Sequence, residues 1–281
     1  PTIDRRTAKK LEQHRDNRLI QHLGTCCLTY SCPAARNYFL ERWEAPLPTS
    51  PGCNARCLGC ISLQPSECCP STQERLRFTP SVKEIVEIGA AHLEKAEQPV
   101  VSFGQGCEGE PLLQADLLES SIREMRRHTD RGTINCNTNA SLPEDVARLR
   151  KAGLDSIRVS LNSAREKFYH NYYRPRNYGF ADVIDSISVM KKAGGFVSLN
   201  YFILPGFSDT EQETDSFMQL IDGTRPYFIQ LRNLNIDPEW YLHEIGSSAS
   251  STVYGVRNWL DRIRKRFPFL RFGYFNPCLN P

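Results

Sequence analysis

The chain has 281 residues, enough for one large domain or two small ones. With 40% hydrophobic, 24% charged and 10% aromatic residues, it has the composition of a folded protein, which excludes disordered and fibrous classes. Lys+Arg 35 against Asp+Glu 32 leaves a formal charge of +3, too small to point to nucleic acid or an anionic membrane surface. No apolar run reaches the roughly 20 residues that span a bilayer, and the N-terminus is charged where a signal peptide is apolar. The expectation is therefore a cytoplasmic protein with no membrane or nucleic-acid partner, and its start at Pro1 rather than Met predicts an upstream segment.

Residues 1–45 read as a helical and loop cap that carries Cys26, Cys27 and Cys32. A core follows over 46–245, and 246–281 read as a C-terminal helix and final strand or tail packed on it. The core opens with Cys53-Asn54-Ala55-Arg56-Cys57-Leu58-Gly59-Cys60, a C-x3-C-x2-C loop. Three thiolates this close suit one soft metal centre. A structural zinc site normally closes its tetrahedron from a second cysteine pair, and none is present here. A [4Fe-4S] cluster held by three cysteines leaves one iron open to a substrate or cofactor.

From residue 80 onward, helical and strand-like segments alternate. Buried helical stripes recur at Val82, Ile85, Val86, Gly89 and Leu93; at Phe180, Val183, Ile184, Ile187 and Met190; and at Val253, Val256, Leu260 and Ile263. Strands are predicted over 99–103, 133–137, 156–161, 196–204, 227–231 and 270–275. Such alternation requires a parallel sheet covered by helices, so the class is α/β. Several strands are polar at every second residue: Asn135 and Asn137; Arg158, Ser160 and Asn162; Ser198 and Asn200; Gln230 and Arg232. One face therefore packs on helices while the other lines a wet interior. This predicts a partial (β/α)6 TIM-like barrel with an N-terminal helical and loop cap, and chemistry at the C-terminal strand ends.

The cysteine loop, then Phe103-Gly104-Gln105-Gly106-Cys107-Glu108-Gly109-Glu110-Pro111-Leu112-Leu113, then Val159-Ser160-Leu161-Asn162, together resemble the radical S-adenosylmethionine (SAM) superfamily, over roughly residues 46 to 235. The resemblance implies that Cys53, Cys57 and Cys60 hold a [4Fe-4S] cluster whose open iron chelates SAM. An electron from a flavodoxin- or ferredoxin-like donor then cleaves SAM to methionine and a 5′-deoxyadenosyl radical. Gly109-Glu110-Pro111 resembles the family's Gly-Gly-Glu-Pro motif, which puts the Gly109 backbone and the acceptor-only Glu110 carboxylate at the methionine ammonium. Ser160 and Arg174 resemble a pair that meets the SAM carboxylate or ribose in some branches. Asn137 and Asn139, beside a Thr-Asn-Ala that resembles Thr-Asn-Gly, offer bonds to ribose or the methionine part; for Asn139, turn chemistry is an equal alternative. The segment 200–206 resembles the strand and turn that flank adenine, which brings in Asn200 and Leu204.

Two departures stand out. Many members carry an aromatic residue before the third cysteine, where this chain has Gly59. Cys107 lies inside the glycine-rich turn, where it is a candidate catalytic hydrogen-atom donor or substrate-linking thiol, or else a small buried residue.

The polar, aromatic stretch 230–241 supplies candidate substrate contacts: Gln230, Arg232 for a carboxylate or phosphate, and Trp240 or Tyr241 to exclude water, unless these merely cap the barrel. Cys26, Cys27 and Cys32 with Cys68, Cys69 or Cys278 offer an auxiliary iron-sulfur cluster, against the plainer expectation of reduced, partly buried thiols. None of the 6 histidines shows ligand spacing with another His or Cys, and no hydrolase elbow or phosphate loop occurs. The expected reaction is hydrogen abstraction from a polar small molecule or a peptide. Two other readings stay open: a methyl-transferring variant with Cys107 or Cys278 as carrier, and a zinc-stabilised binding module on an inactive barrel.

Overall fold

Asn17 accepts a hydrogen bond from the Ile20 N–H, and Pro33 sits in the first turn of the third helix, so both helix starts are written in local chemistry. They belong to α1 (Thr2–Gln13), α2 (Arg18–Leu28) and α3 (Pro33–Leu40), the N-terminal cap. The computed structural model describes residues 2–63, 71–247 and 252–281. Glu41, in the left-handed region at φ 55°, ends α3 and turns the chain into β1 (Arg42–Pro46). This strand is absent from the sequence expectation, and it spans the predicted cap boundary at residue 45. Its sequence, RWEAP, has no period-two pattern, and only its last two residues are buried.

Beyond the cysteine loop come α4 (Val82–Lys95), β2 (Glu97–Phe103) and a 3-10 turn (Pro111–Gln114). The chain continues through α5 (Ala115–His128), β3 (Thr133–Thr138), α6 (Pro143–Ala152), β4 (Ser156–Leu161), α7 (Glu166–Tyr173) and α8 (Phe180–Lys192). It ends with β5 (Phe196–Ile203), α9 (Glu211–Thr224), β6 (Phe228–Asn233), α10 (Pro238–Ile245), α11 (Val256–Arg266) and β7 (Arg271–Phe272). The last strand is shorter than predicted. Val253, expected on the final helix, instead bridges to Thr210 and is exposed.

All seven strands are parallel, in the order β1-β2-β3-β4-β5-β6-β7. The sheet curls into an open half-barrel, the partial TIM-like fold. Register aligns the inward polar residues in rows: Ser102 with Asn135 and Ser156; Asn137 with Arg158 and Ser198; Ser160 with Asn200 and Gln230. The alternate positions Ile157, Val159, Val197, Leu199 and Ile229 are fully buried. The tail after β7 runs back beneath the sheet. There the Leu279 N–H donates to Thr133 Oγ1, and Asn276 Nδ2 donates to Glu44 Oε1 at 2.8 Å, so the tail floors the barrel. Among the described residues no helix is long and apolar enough to cross a membrane.

Candidate active site at the cysteine loop

The loop leaves the C-terminal end of β1 and is pinned on two sides. On one, the N–H groups of Arg56 and Leu58 donate to the carbonyls of Tyr173 and Tyr172, at 2.9 and 3.1 Å, and the Arg176 N–H donates to the Asn54 carbonyl. On the other stands Glu108, a buried carboxylate to which the sequence reading assigned no role. Its Oε2 accepts from the N–H groups of Thr49 and Ser50 and from the Thr49 hydroxyl; its Oε1 accepts from the N–H groups of Gly104 and Gln105. The Gly109 N–H donates to the Ser50 carbonyl and the Glu110 N–H to that of Gly52. The two chains approach so closely that a Cβ on Gly109 lies 1.8 Å from the Gly52 carbonyl oxygen. Gly109→Ala is therefore expected to push the loop off the turn, at a cost of about 2–3 kcal/mol. Iron content after reconstitution and thermal unfolding should fall together; normal values of both would refute the close approach.

Cys53, Cys57 and Cys60 line one wall of a 420 Å³ cavity, with Gly109 and Glu110 beside them. Asn137, Asn139, Ser160, Asn200 and Arg232 line the rest, so these predicted contacts converge. Glu110 accepts from the N–H groups of Leu112 and Asn139 and from the Thr138 hydroxyl. Burial nevertheless pushes its carboxyl up to about 7. Asn139 donates to Asn54 Oδ1 at 2.7 Å and accepts from the Ser141 N–H, so its side chain serves the turn and the loop. Burial, then the neighbouring Cys53 and Cys60, hold the Cys57 thiol well above its ordinary range.

Arg75, which the sequence reading missed, places Nη2 3.2 Å from Cys60 Sγ and donates from Nε to Ser62 Oγ. A single arginine in a loop carries no spacing signal that could have found it. The Gly59 departure also has a physical reason. A Cβ there lies 2.9 Å from the Tyr172 hydroxyl, so an aromatic ring from α7 occupies the space beside the third cysteine.

Other expected contacts lie elsewhere. Arg174 caps α7 in the left-handed region and pairs with Glu244, and it lines no cavity described here. The Leu204 N–H donates to Ser208 Oγ, and Leu204 and Trp240 likewise line no wall of this cavity. Gln230 is buried and bonded to Arg158. Tyr241 is buried and receives a hydrogen bond from Asn162.

Cys107 is buried, the plainer of the readings given for it. Its thiol lies against Cys26 and His22, whose ligand atoms lie with its own within 4.8 Å of one another. His22 and Cys26 are also four residues apart on α2, a ligand-type spacing the sequence reading overlooked. Cys27 faces Thr7, and Cys278 donates to the Pro99 carbonyl, so neither joins this group. Cys68 and Cys69 lie outside the described residues.

A second cavity of 870 Å³ shares Asn137, Ser160, Asn200 and Arg232 with the first and extends down the half-barrel to the tail. A cysteine-lined pocket at the C-terminal strand ends, continuous with a roomy interior, can hold a reactive group against a bound molecule. The family model of the Radical SAM superfamily matches residues 47–218. The chain belongs to the radical SAM superfamily.

Among relatives of this radical SAM protein, the GTP 3',8-cyclase of Paenarthrobacter nicotinovorans is 30% identical over 191 residues, covering 67% of this chain and 50% of that protein. That of Lactiplantibacillus plantarum is 28% identical, over 74% of this chain and 58% of that protein. The chain thus spans about half the length of the curated relatives it matches. A radical SAM methyltransferase from Sphaerobacter thermophilus shares the fold, with TM-score 0.56 and 16% identity over 82% of this chain and 66% of that one. So does Streptococcus suis SuiB bound to S-adenosylmethionine, with TM-score 0.55 and 16% identity over 86% and 54%.

The donor set fits the cluster that the family implies. Burial holds the Cys53 and Cys57 thiols above their ordinary range, so those two become thiolates readily only beside a cationic centre. Among the described residues the wall offers these three sulfurs and no fourth cysteine, which suits a cluster with an open iron better than a closed zinc tetrahedron.

Proposed function

We propose that this radical SAM enzyme cleaves SAM reductively at the cysteine loop and uses the resulting 5′-deoxyadenosyl radical to take hydrogen from a polar substrate in the larger cavity. The observation that carries this reading is the single wall of Cys53, Cys57, Cys60 and Glu110, opening past Asn137, Ser160 and Asn200 into that cavity. When bound, the [4Fe-4S] cluster supplies the electron and an open iron for SAM. Ionised Glu110 pairs with the methionine ammonium, while Ser160, Asn137 and Asn200 offer hydrogen bonds to the rest of the molecule. Arg75 offsets charge at Cys60. Tyr172 closes the wall and excludes water, which carbon-radical chemistry requires.

Cys107 lies against Cys26 and His22, and Cys278 donates to the Pro99 carbonyl at the floor, an arrangement that favours hydrogen abstraction over methyl transfer through either thiol. A reduced flavodoxin- or ferredoxin-like donor and a cytoplasmic setting complete the proposal. The names of the relatives put GTP among the substrates to assay, beside carboxylate-bearing small molecules and peptides.

The test is anaerobic reconstitution, an iron count, and an assay for methionine and 5′-deoxyadenosine after reduction. About four irons per chain with cleavage supports the reading; bound zinc with neither moves the case to a binding module. Glu110 adds a pH signature. With its folded value raised from 4.5 to about 7, the empty site is favoured by protonation and loses stability as pH rises between them. A cationic ligand needs the ionised form, so SAM affinity should climb as pH rises through about 7. A flat profile from pH 5.5 to 8 would separate Glu110 from the ammonium.

A further inference from the structure

Arg158 lies mid-strand on β4, is 6% exposed, and lines the 870 Å³ cavity. Its Nη1 donates to Gln230 Oε1. Its Nε and Nη2 are buried with no hydrogen-bond partner, and neither has the Gln230 Nε2 beside them. Leaving such groups unpaired is costly in a folded chain. The two free nitrogens are also the parallel pair of the guanidinium, the edge a carboxylate takes bidentately. Burial pulls the Arg158 guanidinium down to about 10, so it stays charged at neutral pH.

The charges around it set the size of the missing partner. Among the described residues, the cavity is lined by two cations, Arg158 and Arg232, and one carboxylate, Glu44. Glu44 acts on Arg158 through space but makes no ion pair with it within 4.0 Å, and it accepts from Asn276 Nδ2. Arg232 donates to Asn200 Oδ1 and to the Tyr274 hydroxyl, neither of them charged. One net positive charge is left, which matches a single carboxylate rather than a polyphosphate.

Resting on the functional reading above, we propose that Arg158, assisted by Gln230, is the receptor for a carboxylate on the substrate. Ser160, on the wall shared by the two cavities, is two residues further along the same strand and on the same face, about 7 Å away. The substrate therefore carries its carboxylate several bonds from the carbon presented toward SAM.

The experiment uses the cluster-loaded full chain with SAM and follows thermal unfolding at constant ionic strength, with propionate, propionamide or inorganic phosphate as probe. Propionate should raise the unfolding temperature and propionamide should not. Arg158→Met should need roughly tenfold or more propionate for the same effect, and Arg158→Lys should be weakened too, because it keeps the charge without the fork. With no anion present, Arg158→Met should unfold no earlier than the parent chain. An unchanged propionate response in Arg158→Met overturns the proposal. So does anion-free destabilisation of that variant, which would make the fork a structural group, and so does stabilisation by phosphate but not propionate. SAM cleavage is measured in the same samples: cleavage without propionate binding refutes this inference alone, and propionate binding without cleavage refutes only the functional reading.

Discussion

Cys57→Ala should remove the brown cluster absorbance and SAM cleavage together while changing folding stability by less than about 1 kcal/mol. The loop is held by its backbone, through Tyr172, Tyr173 and the turn after β2, and none of those bonds uses a cysteine sulfur. Losing one thiolate thus removes a ligand without releasing the loop. The same outcome is expected for Cys53→Ala and Cys60→Ala. Retention of both absorbance and cleavage in any one of the three would sink the cluster assignment, and loss of folding would show that the sulfurs themselves pack the wall.

Glu108→Ala should have the largest effect on stability, on the order of 4 kcal/mol. Four backbone N–H groups from two separate chain segments end on this carboxylate, and alanine strands all of them in a buried site. Glu108→Gln should rescue little, because one oxygen becomes an amide that donates toward N–H groups that also donate. Urea unfolding of the cluster-free chain checks this without interference from iron. A loss below about 1 kcal/mol would mean that water replaces the carboxylate. The contrast with Glu110 is instructive: the motif presents two glutamates two residues apart, both bordering the cavity, one bonded to the loop and the other to the Thr138-Asn139 turn.

Much of the barrel was legible because its strands announce themselves by burial on one face and polarity on the other. The 156–161 prediction coincides with β4, and the inward row of Asn137, Ser160, Asn200 and Arg232 does line cavities. β1 was missed because Arg42, Trp43 and Glu44 look like loop residues; what makes them a strand is the waiting edge of β2, a tertiary fact. The cysteine loop was readable because its ligands are local. Arg75 and the pairing of Cys107 with Cys26 were not, since each is brought into place from a separate part of the chain. Arg158 was read as lumen-facing, but the sequence holds no sign that two of its nitrogens go unpaired.

The loop's anchors also dictate an order of assembly. Arg56 and Leu58 are bonded to carbonyls at residues 173 and 172, and the Gly59 carbonyl accepts from Asn235. The cradle is therefore made of contacts far apart along the chain, which form late and slowly compared with local ones. A growing polypeptide emerges N-terminus first, so its cysteines leave the ribosome well before the residues that shape their pocket. Iron delivered to the nascent loop would meet unconstrained thiols. The pocket around the three cysteines is thus complete only once α7 has docked, long after the loop itself has been made.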